Sequence, residues 1–465
     1  ISVDVPVILL NIDKKEDIEV VYKLLKGHEY WRMKGIKVDL VILVGEEISY
    51  LQPLRELVME AVSSGYGRDL LGKRGGIFII NKTLLSEEDS NLLYAAARIV
   101  LNGNSDSLDE QLDLEYKTVY KNKLVVNEKK ATEEYSDYEL DKYGTLSYFN
   151  DIGGFDIEAN EYVIHLRRGN ETPVPWSNVI ANENFGFIVT ESGGGYTWSS
   201  NSRENKLTPW SNDPVKDTLG EVVYIRDDLT GEYGSLTPSP VRGNVDYIVK
   251  HGQGYTKFLS LDKGLEKELC QFVSVKDPVK ISLIRLNNKS GKTRKISLFY
   301  YVRPVLGVNE KVTSQYISTS IDDGTGMGII RNSFNTEFPN KIAFIDCSET
   351  ERSFSGDNLE FLGLDGSLEK PEAVFRDRLS GTIGAGLDPC AAMHIMITIN
   401  PGEQKDVIFL LGQGDSMEQV RDISFKYRNI DNARNELGLV KEMWESKLGV
   451  IQVDTPDLSM NIMLN

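Results

Sequence analysis

Along residues 1–103, short and almost wholly apolar runs alternate with segments whose apolar residues recur every three or four positions. The runs 5–12, 38–44 and 76–80 have no polar face and read as strands buried on both sides. Between them, 15–27 places Ile18, Val21, Leu24 and Leu25 on one helical face, and 51–62 does the same with Leu54, Leu57, Val58 and Ala61. Ser86 followed by Asp89 reads as the capped start of a third helix, with Asn102-Gly103 as its end. This alternation predicts a small α/β domain over 1–103 with about three strands. Residues 104–142 are charged and poor in apolar anchors, which predicts a polar linker with one short helix.

From 143 to 414 the texture changes to short alternating runs such as EYVIHL, FGFIVT, ISLIRLNN and DVIFLLG, separated by Gly, Asn and Asp turns. That is too much strand for a seven-strand immunoglobulin-like module, and a large antiparallel sandwich is the simplest container. From Ser416 the period returns to 3.6, through Val420 and Ile423 and then Ala433, Leu437, Val440 and Trp444. Residues 415–465 are thus expected to be linker helices that lead away from the sandwich, with Pro456 in the first turn of the last one. The fold class predicted is α+β overall.

Composition narrows the function. The 465 residues suggest about three structural units, and 40% hydrophobic against 26% charged residues describe a globular chain. A net charge of −18 repels phosphate backbones and anionic lipid, which argues against nucleic acid and membrane surfaces and leaves a neutral ligand easier to accommodate. Cys270, Cys347 and Cys390 lack any C-x-x-C spacing and read as small buried residues in a reducing compartment. His28, His165, His251 and His394 form no H-x-x-x-H pair, so no metal centre is expected, and residues 1–103 hold no G-x-G-x-x-G or G-x-x-x-x-G-K-[ST] phosphate loop; no cofactor is expected. No apolar stretch approaches the length of a membrane span. The first residues carry neither an initiator methionine nor a signal peptide, and both ends read as cut from something larger.

Candidate chemistry concentrates in Thr172 to Asp217, which holds Trp176, Trp198 and Trp210 interleaved with Asn, Ser, Arg and Asp. A sugar ring presents an apolar C–H face and a rim of hydroxyls, so a site for it needs flat aromatics beside planar amide, carboxylate and guanidinium groups. The alternative is that the tryptophans are sandwich core and the polar residues make turns. The tripeptides Trp176-Ser177-Asn178 and Trp210-Ser211-Asn212 weigh against it, because a core strand does not ordinarily set serine and asparagine beside its largest residue. Glu191, Glu204, Asp213 and Asp217 are acid–base candidates whose spacing in the fold the sequence cannot supply. His251, between glycines, is either a pocket or a turn residue, and no G-x-S-x-G elbow supports a serine hydrolase.

The stretches YFNDIGGF, TPVPWSNVIANENFGFIVTESGGGYTWSSNSRENKLTPWSNDPVKD and GAGLDPCAAMHIMITINPGEQKDVIFLLGQG closely resemble the amino-terminal portion of glycoside hydrolase family 94. Its members include cellobiose-type phosphorylases and the carboxyl-terminal regions of cyclic β-1,2-glucan synthases (glycosyltransferase 36 type). The segments EYWRMKGIKVDLVILVGEEISYLQPL, GGIFIIN and LLYAAARIVLNG resemble what precedes that region in the cyclic synthases, so the resemblance covers essentially the whole chain. It implies a super-β-sandwich of galactose mutarotase-like shape, a helical linker, an (α/α)6 barrel and a small β domain. The family's general acid and phosphate-binding residues lie on the barrel, and this chain stops where the barrel would begin. What carries over is a loop facing the barrel mouth: Arg203, Asn205, Trp210, Asn212 and Asp213. Trp176, Asn178 and Trp198 complete the expected substrate-binding set, and no catalytic residue is expected.

The resulting expectation is the noncatalytic carbohydrate-binding and scaffold portion of a hexosyltransferase that synthesises or phosphorolyses β-1,2-glucan, inactive alone. Its expected partners are β-1,2-linked glucan, the barrel of the same polypeptide and a second copy in a homodimer. The expected location is cytoplasmic, with the parent anchored in the inner membrane through other segments. Two alternatives stand beside it: a scaffold that only packs on the barrel, and a standalone aldose epimerase. The epimerase would need histidine and carboxylate to converge, whereas His165, His251 and His394 are scattered.

Overall fold

The computed structural model describes residues 1–2, 4–45, 52–103, 107–112, 146–213, 215, 217–364 and 366–465. The chain divides into two compact units, Ile1–Val119 and Tyr120–Asn465.

In the first unit a parallel sheet runs Ile77–Asn81, Asp39–Val44, Val7–Ile12 and Ala97–Asn102 from edge to edge. Helices Ile18–Met33, Pro53–Ser63 and Glu87–Ala96 make the crossovers. Every residue of the two middle strands is buried, because both faces are covered. Ile8, Leu10 and Ile12 meet Val21 and Leu24 on one side, while Val7 and Leu9 meet Leu93 on the other. The fourth strand departs from expectation. Ser86 caps the third helix by accepting from the Asp89 amide at 3.0 Å, but that helix ends at Ala96, and Asn102-Gly103 closes a strand instead. Of Ile99, Val100 and Leu101 only Leu101 is buried, too little for an amphipathic helix, whereas β-branched residues suit an edge strand. Most of the expected linker 104–142 lies outside the described residues; within it Leu108–Leu112 is helical.

Among the described residues of the second unit, eleven strands form one antiparallel sheet. Its order is Gly384–Ala385, Ile317–Ile321, Gly328–Asn332, Ile342–Cys347, Gln404–Gly414, Val279–Asn288, Leu265–Val273, Tyr255–Asp262, Tyr247–Gly252, Glu161–Leu166 and Gly153–Asp156. A five-stranded sheet packs on it: Tyr233–Ser235, Glu221–Asp227, Arg294–Val302, Pro389–Ile399 and Arg352–Asp357. Ser177–Ala181, Phe185–Thr190 and Gly195–Ser199 form a third, three-stranded sheet. This is the α+β architecture with a large antiparallel sandwich.

Strand Val279–Asn288 shows why its sequence reads as continuously apolar. Ile284 and Leu286 enter the main core between the sheets, while Val279, Ile281 and Leu283 enter a second core on the opposite face. That second core is closed by helices Met417–Tyr427 and Ile430–Leu448, which therefore fold back onto the large sheet rather than leading away from it. Their apolar stripe, Val420, Ile423, Tyr427 and Val440, must be covered, and the sheet offers the matching face. Polar anchors fix the seat: buried Glu436 accepts from the Ser274 hydroxyl at 2.7 Å and the Val275 amide at 2.9 Å, and the Tyr427 hydroxyl donates to Asp277 at 2.6 Å. Beyond these helices Val450, Ile451 and Met463 are exposed. Among the described residues no helix is long and apolar enough to cross a membrane.

Glu436→Ala is expected to lower unfolding free energy by about 2 to 3 kcal/mol, because the buried Ser274 hydroxyl and the half-buried Val275 amide lose this acceptor. Leu439→Ala, on the exposed side of the same helix, is expected to change it by less than about 0.5 kcal/mol. Urea midpoints at constant m-value measure both.

Candidate functional site

The tryptophan stretch folds mainly into the three-stranded sheet, and the pleat sorts its side chains. Ile180, Phe185, Phe187 and Val189 point inward and are buried in the main core. The opposite face carries Val179, Ala181, Gly186, Ile188, Tyr196 and Trp198, placed together by the pairing of Ala181 with Gly186, Gly186 with Trp198 and Ile188 with Tyr196. Val179 is 59% exposed there. Trp198 lies across Gly186, where an added Cβ would stand 2.5 Å from the indole. Glycine is required at that position by the close approach.

Past Ser199 the chain turns back along the sheet. Lys206 bridges to Trp198, and the Leu207 amide donates to the Thr197 carbonyl at 2.8 Å. Trp210 is thereby laid on Tyr196, with ring centroids 4.9 Å apart and planes inclined by 34°. Trp198 meets the other side of the cluster, 5.2 Å from Tyr196 at 40°. The structure thus joins Trp198 and Trp210 through Tyr196, a residue the sequence reading passed over. Its signal was available: Tyr196 stands two positions before Trp198 and so shares its face of the strand. Trp210 is 39% exposed, and Arg203 and Asn212 on the same loop are exposed too. Arg203 pairs with Glu204 at 3.2 Å, and Asp213 accepts from the Val215 amide at 2.9 Å.

The other expected site residues lie elsewhere. Asn205 is buried, its amide nitrogen donating to the Ser199 carbonyl at 2.8 Å and to Gln413 at 2.7 Å. Trp176 packs edge-on to Tyr162, 5.8 Å away, against the main core. The Asn178 amide nitrogen ties its strand to the adjacent hairpin through the Gly252 and Tyr255 carbonyls at 2.9 and 3.0 Å. Asn178 also lines a cavity of about 390 Å³ that includes Tyr162, His251, Glu161 and Trp444.

Two of the four acid–base candidates, Glu191 and Asp217, are held by internal bonds. Glu191 accepts from the Trp176 amide at 2.7 Å and from the Thr172 hydroxyl, and burial raises its pKa. Asp217 accepts from Thr190 at 2.5 Å and from Ser192, fastening the turn 191–194. That turn demands glycine: Gly195 has φ +122°, and an added Cβ would lie 2.0 Å from the Ile188 carbonyl oxygen. The Nε2–H of His251 donates to the Trp176 carbonyl at 3.1 Å, so Nδ1 accepts from the Thr256 hydroxyl at 3.0 Å. Burial drives its pKa down to about 4, and the ring is neutral at physiological pH. His394 is stacked on Phe299 at 4.3 Å and bonded to Ser297 at 3.0 Å, with its pKa pulled by burial to about 3.

Beneath the aromatic face, Glu221 is the hub of a buried polar cluster. It accepts from Lys280 and Tyr300, each at 3.1 Å, and from Thr197 on the inner face of the three-stranded sheet. The Lys280 ammonium also stands 4.1 Å from the centre of the Phe187 ring. The three-stranded sheet is thus bolted to the sandwich by one carboxylate and one cation.

The glycosyl hydrolase 94 supersandwich domain family matches residues 160–430. The cyclic beta-(1,2)-glucan synthase NdvB of Rhizobium meliloti (strain 1021) is 32% identical over 478 residues, covering 100% of this chain. The N,N'-diacetylchitobiose phosphorylase of Vibrio proteolyticus is 26% identical over 321 residues and covers 67% of it. This chain spans only 17% and 39% of those two relatives. A galactose mutarotase related enzyme from Lactobacillus acidophilus aligns at 10% identity and TM-score 0.31 over 51% of this chain and 97% of its own.

Two outcomes follow from the geometry. Gly195→Ala is expected to cost at least about 2 kcal/mol of stability and to alter near-ultraviolet dichroism, because the turn that sets the Tyr196–Trp198 strand cannot accept a Cβ. His251 takes up its proton at about pH 4 when folded and near pH 6.5 when unfolded. The unfolded chain therefore binds the proton first, and stability falls as pH drops from about 6.5 toward 4, by up to about 3 kcal/mol. His251→Gln should flatten that part of the pH profile of unfolding free energy; an unchanged slope would contradict the assignment.

Proposed function

The chain belongs to the glycosyl hydrolase 94 supersandwich family, and from that premise we propose that it is the noncatalytic, carbohydrate-holding part of an enzyme that makes or phosphorolyses β-1,2-glucan. Membership makes it a domain of a carbohydrate-active enzyme; the linkage, the parent reaction and the absence of catalysis are the proposal. One observation carries it: the outer face of the three-stranded sheet is aromatic and partly open, while the inner face is sealed into the core. A sheet that buries one side so completely has an apolar second side only where something is meant to lie on it.

Trp210 and Trp198 are assigned to stack on pyranose faces, and Arg203, Asn212 and Asp213 to reach the hydroxyl rim. Trp176, Asn178 and Asn205 are assigned to hold the sheet in place, in keeping with their internal bonds. The identity with the cyclic glucan synthase over the whole chain favours β-1,2-linked glucan over other ligands. The expected barrel partner and the homodimer belong to the same proposal, as do a cytoplasmic location and a membrane-anchored parent.

Against a standalone epimerase stands His251, whose two ring nitrogens are both engaged and whose neighbour Glu161 is bound by Lys250 at 2.8 Å and Tyr255 at 2.7 Å. Neither group is poised to move a proton. A second reading, in which the aromatic face packs only on protein, draws support from the exposed Val179 beside it.

Isothermal titration with linear β-1,2-glucan decides between them. Binding should be detected and should weaken at least tenfold in Trp210→Ala, with thermal stability little changed. Undiminished binding in that variant would refute the assignment, and no binding in the parent would favour the packing reading. Acceleration of glucose mutarotation by the chain would overturn the noncatalytic reading.

A further inference from the structure

At one end of the sandwich, where the two large sheets part, lies a small cavity of about 70 Å³. Three neighbouring strands of the eleven-stranded sheet bring Tyr247, Ser260 and Lys267 into direct register there, Tyr247 opposite Ser260 and Ser260 opposite Lys267. Residues so paired share a face of the sheet, and Tyr247 and Lys267 line the cavity. All three are at least nine-tenths buried.

Their hydrogen-bonding capacity is unfilled. Among the described residues the Ser260 hydroxyl has no hydrogen-bond partner. The Tyr247 oxygen accepts from the Gly243 amide at 3.0 Å, and the described residues supply no acceptor for its own hydrogen. Among the described residues the Lys267 ammonium pairs with Asp262 alone, at 3.6 Å, although it carries three donors. Burial lowers its pKa, as expected of a cation short of acceptors. Buried polar groups left this way are costly to a fold and are retained where something external completes them.

The rim narrows what that is. Arg294 pairs with Asp227 at 2.9 Å, Lys263 pairs with Glu232, and Lys267 faces Asp262. Three cations and three carboxylates cancel, so neither an anion nor a cation is attracted by net charge, while donors and acceptors are both on offer. Neutral hydroxyl groups, each donor and acceptor at once, match that arrangement. The space admits one edge of a sugar ring with its hydroxyls, not a whole ring.

We propose that this cavity is a second saccharide subsite, separate from the aromatic face, which takes the hydroxyl-bearing edge of a single neutral hexose residue on Tyr247 and Lys267, with Ser260 between them on the same face of the sheet. The proposal rests on the carbohydrate-holding reading given above.

Methyl-labelled protein tests it by nuclear magnetic resonance. Ile225 and Ile296 line the cavity, whereas Ile188 lies on the aromatic face. Titration with β-1,2-linked glucobiose should shift the Ile225 and Ile296 methyls. The response should weaken tenfold or more in Lys267→Met and severalfold in Ser260→Ala, and persist in Trp210→Ala. Ser260→Ala removes a hydroxyl to which the described residues offer no partner, so it keeps the test valid should Lys267→Met unfold. Ile188 responding while Ile225 and Ile296 stay silent would sink the subsite and leave the aromatic face standing. The reverse pattern would support the subsite and sink the face. Cavity shifts unaffected by both variants, or produced by inorganic phosphate but not by glucobiose, would overturn the proposal.

Discussion

The pleat of the Ser177–Ser199 sheet is the constraint on which the rest of the site depends. Successive side chains of a strand point to opposite faces, so burying Ile180, Phe185, Phe187 and Val189 in the main core leaves Val179, Ile188, Tyr196 and Trp198 on the other face. The Glu221 cluster reinforces that orientation, since a slip of one residue would set Thr197 facing outward and leave the carboxylate without one of its donors. Gly186 and Gly195 make the arrangement possible, the first by leaving room for an indole and the second by adopting a positive φ that other residues rarely take.

Buried charge elsewhere serves the same end. Arg226 donates to Asp228 at 2.7 Å and to the carbonyls of Val374 and Arg376, which stitches the loop over the five-stranded sheet. Asp346, fully buried, is met by Arg352 and by the Ser424 hydroxyl, which fastens a C-terminal helix to the large sheet. Pairs of this kind add little net stability, yet each penalises any packing that would separate them. In each case the buried carboxylate, Asp228 or Asp346, is supplied with donors from within the fold.

Much of the architecture was legible along the chain because burial on two faces writes itself as unbroken apolar runs, as in Val7–Ile12 and Val279–Asn288. Of the three tryptophans clustered in the sequence, Trp198 and Trp210 also meet in the fold, through Tyr196. What could not be read was set by distant pairing. Ile342–Cys347 joins Gln404–Gly414, and the helix stripe of Val420 and Val440 finds the back of the large sheet, neither of which local periodicity encodes. Residues 97–102 misled because helix-forming alanines precede a strand with a single buried side chain. Asn205 looked like a ligand-facing amide until its partners Ser199 and Gln413, the latter two hundred residues away in sequence, were brought beside it.

The most direct measurement is a crystal structure of the chain with a β-1,2-linked gluco-oligosaccharide. The account predicts a pyranose ring lying flat on the indole of Trp210 or Trp198, with its hydroxyls toward Arg203, Asn212 or Asp213. Sugar bound only in the cavity beside His251 and Glu161, with the aromatic face bare, would contradict it.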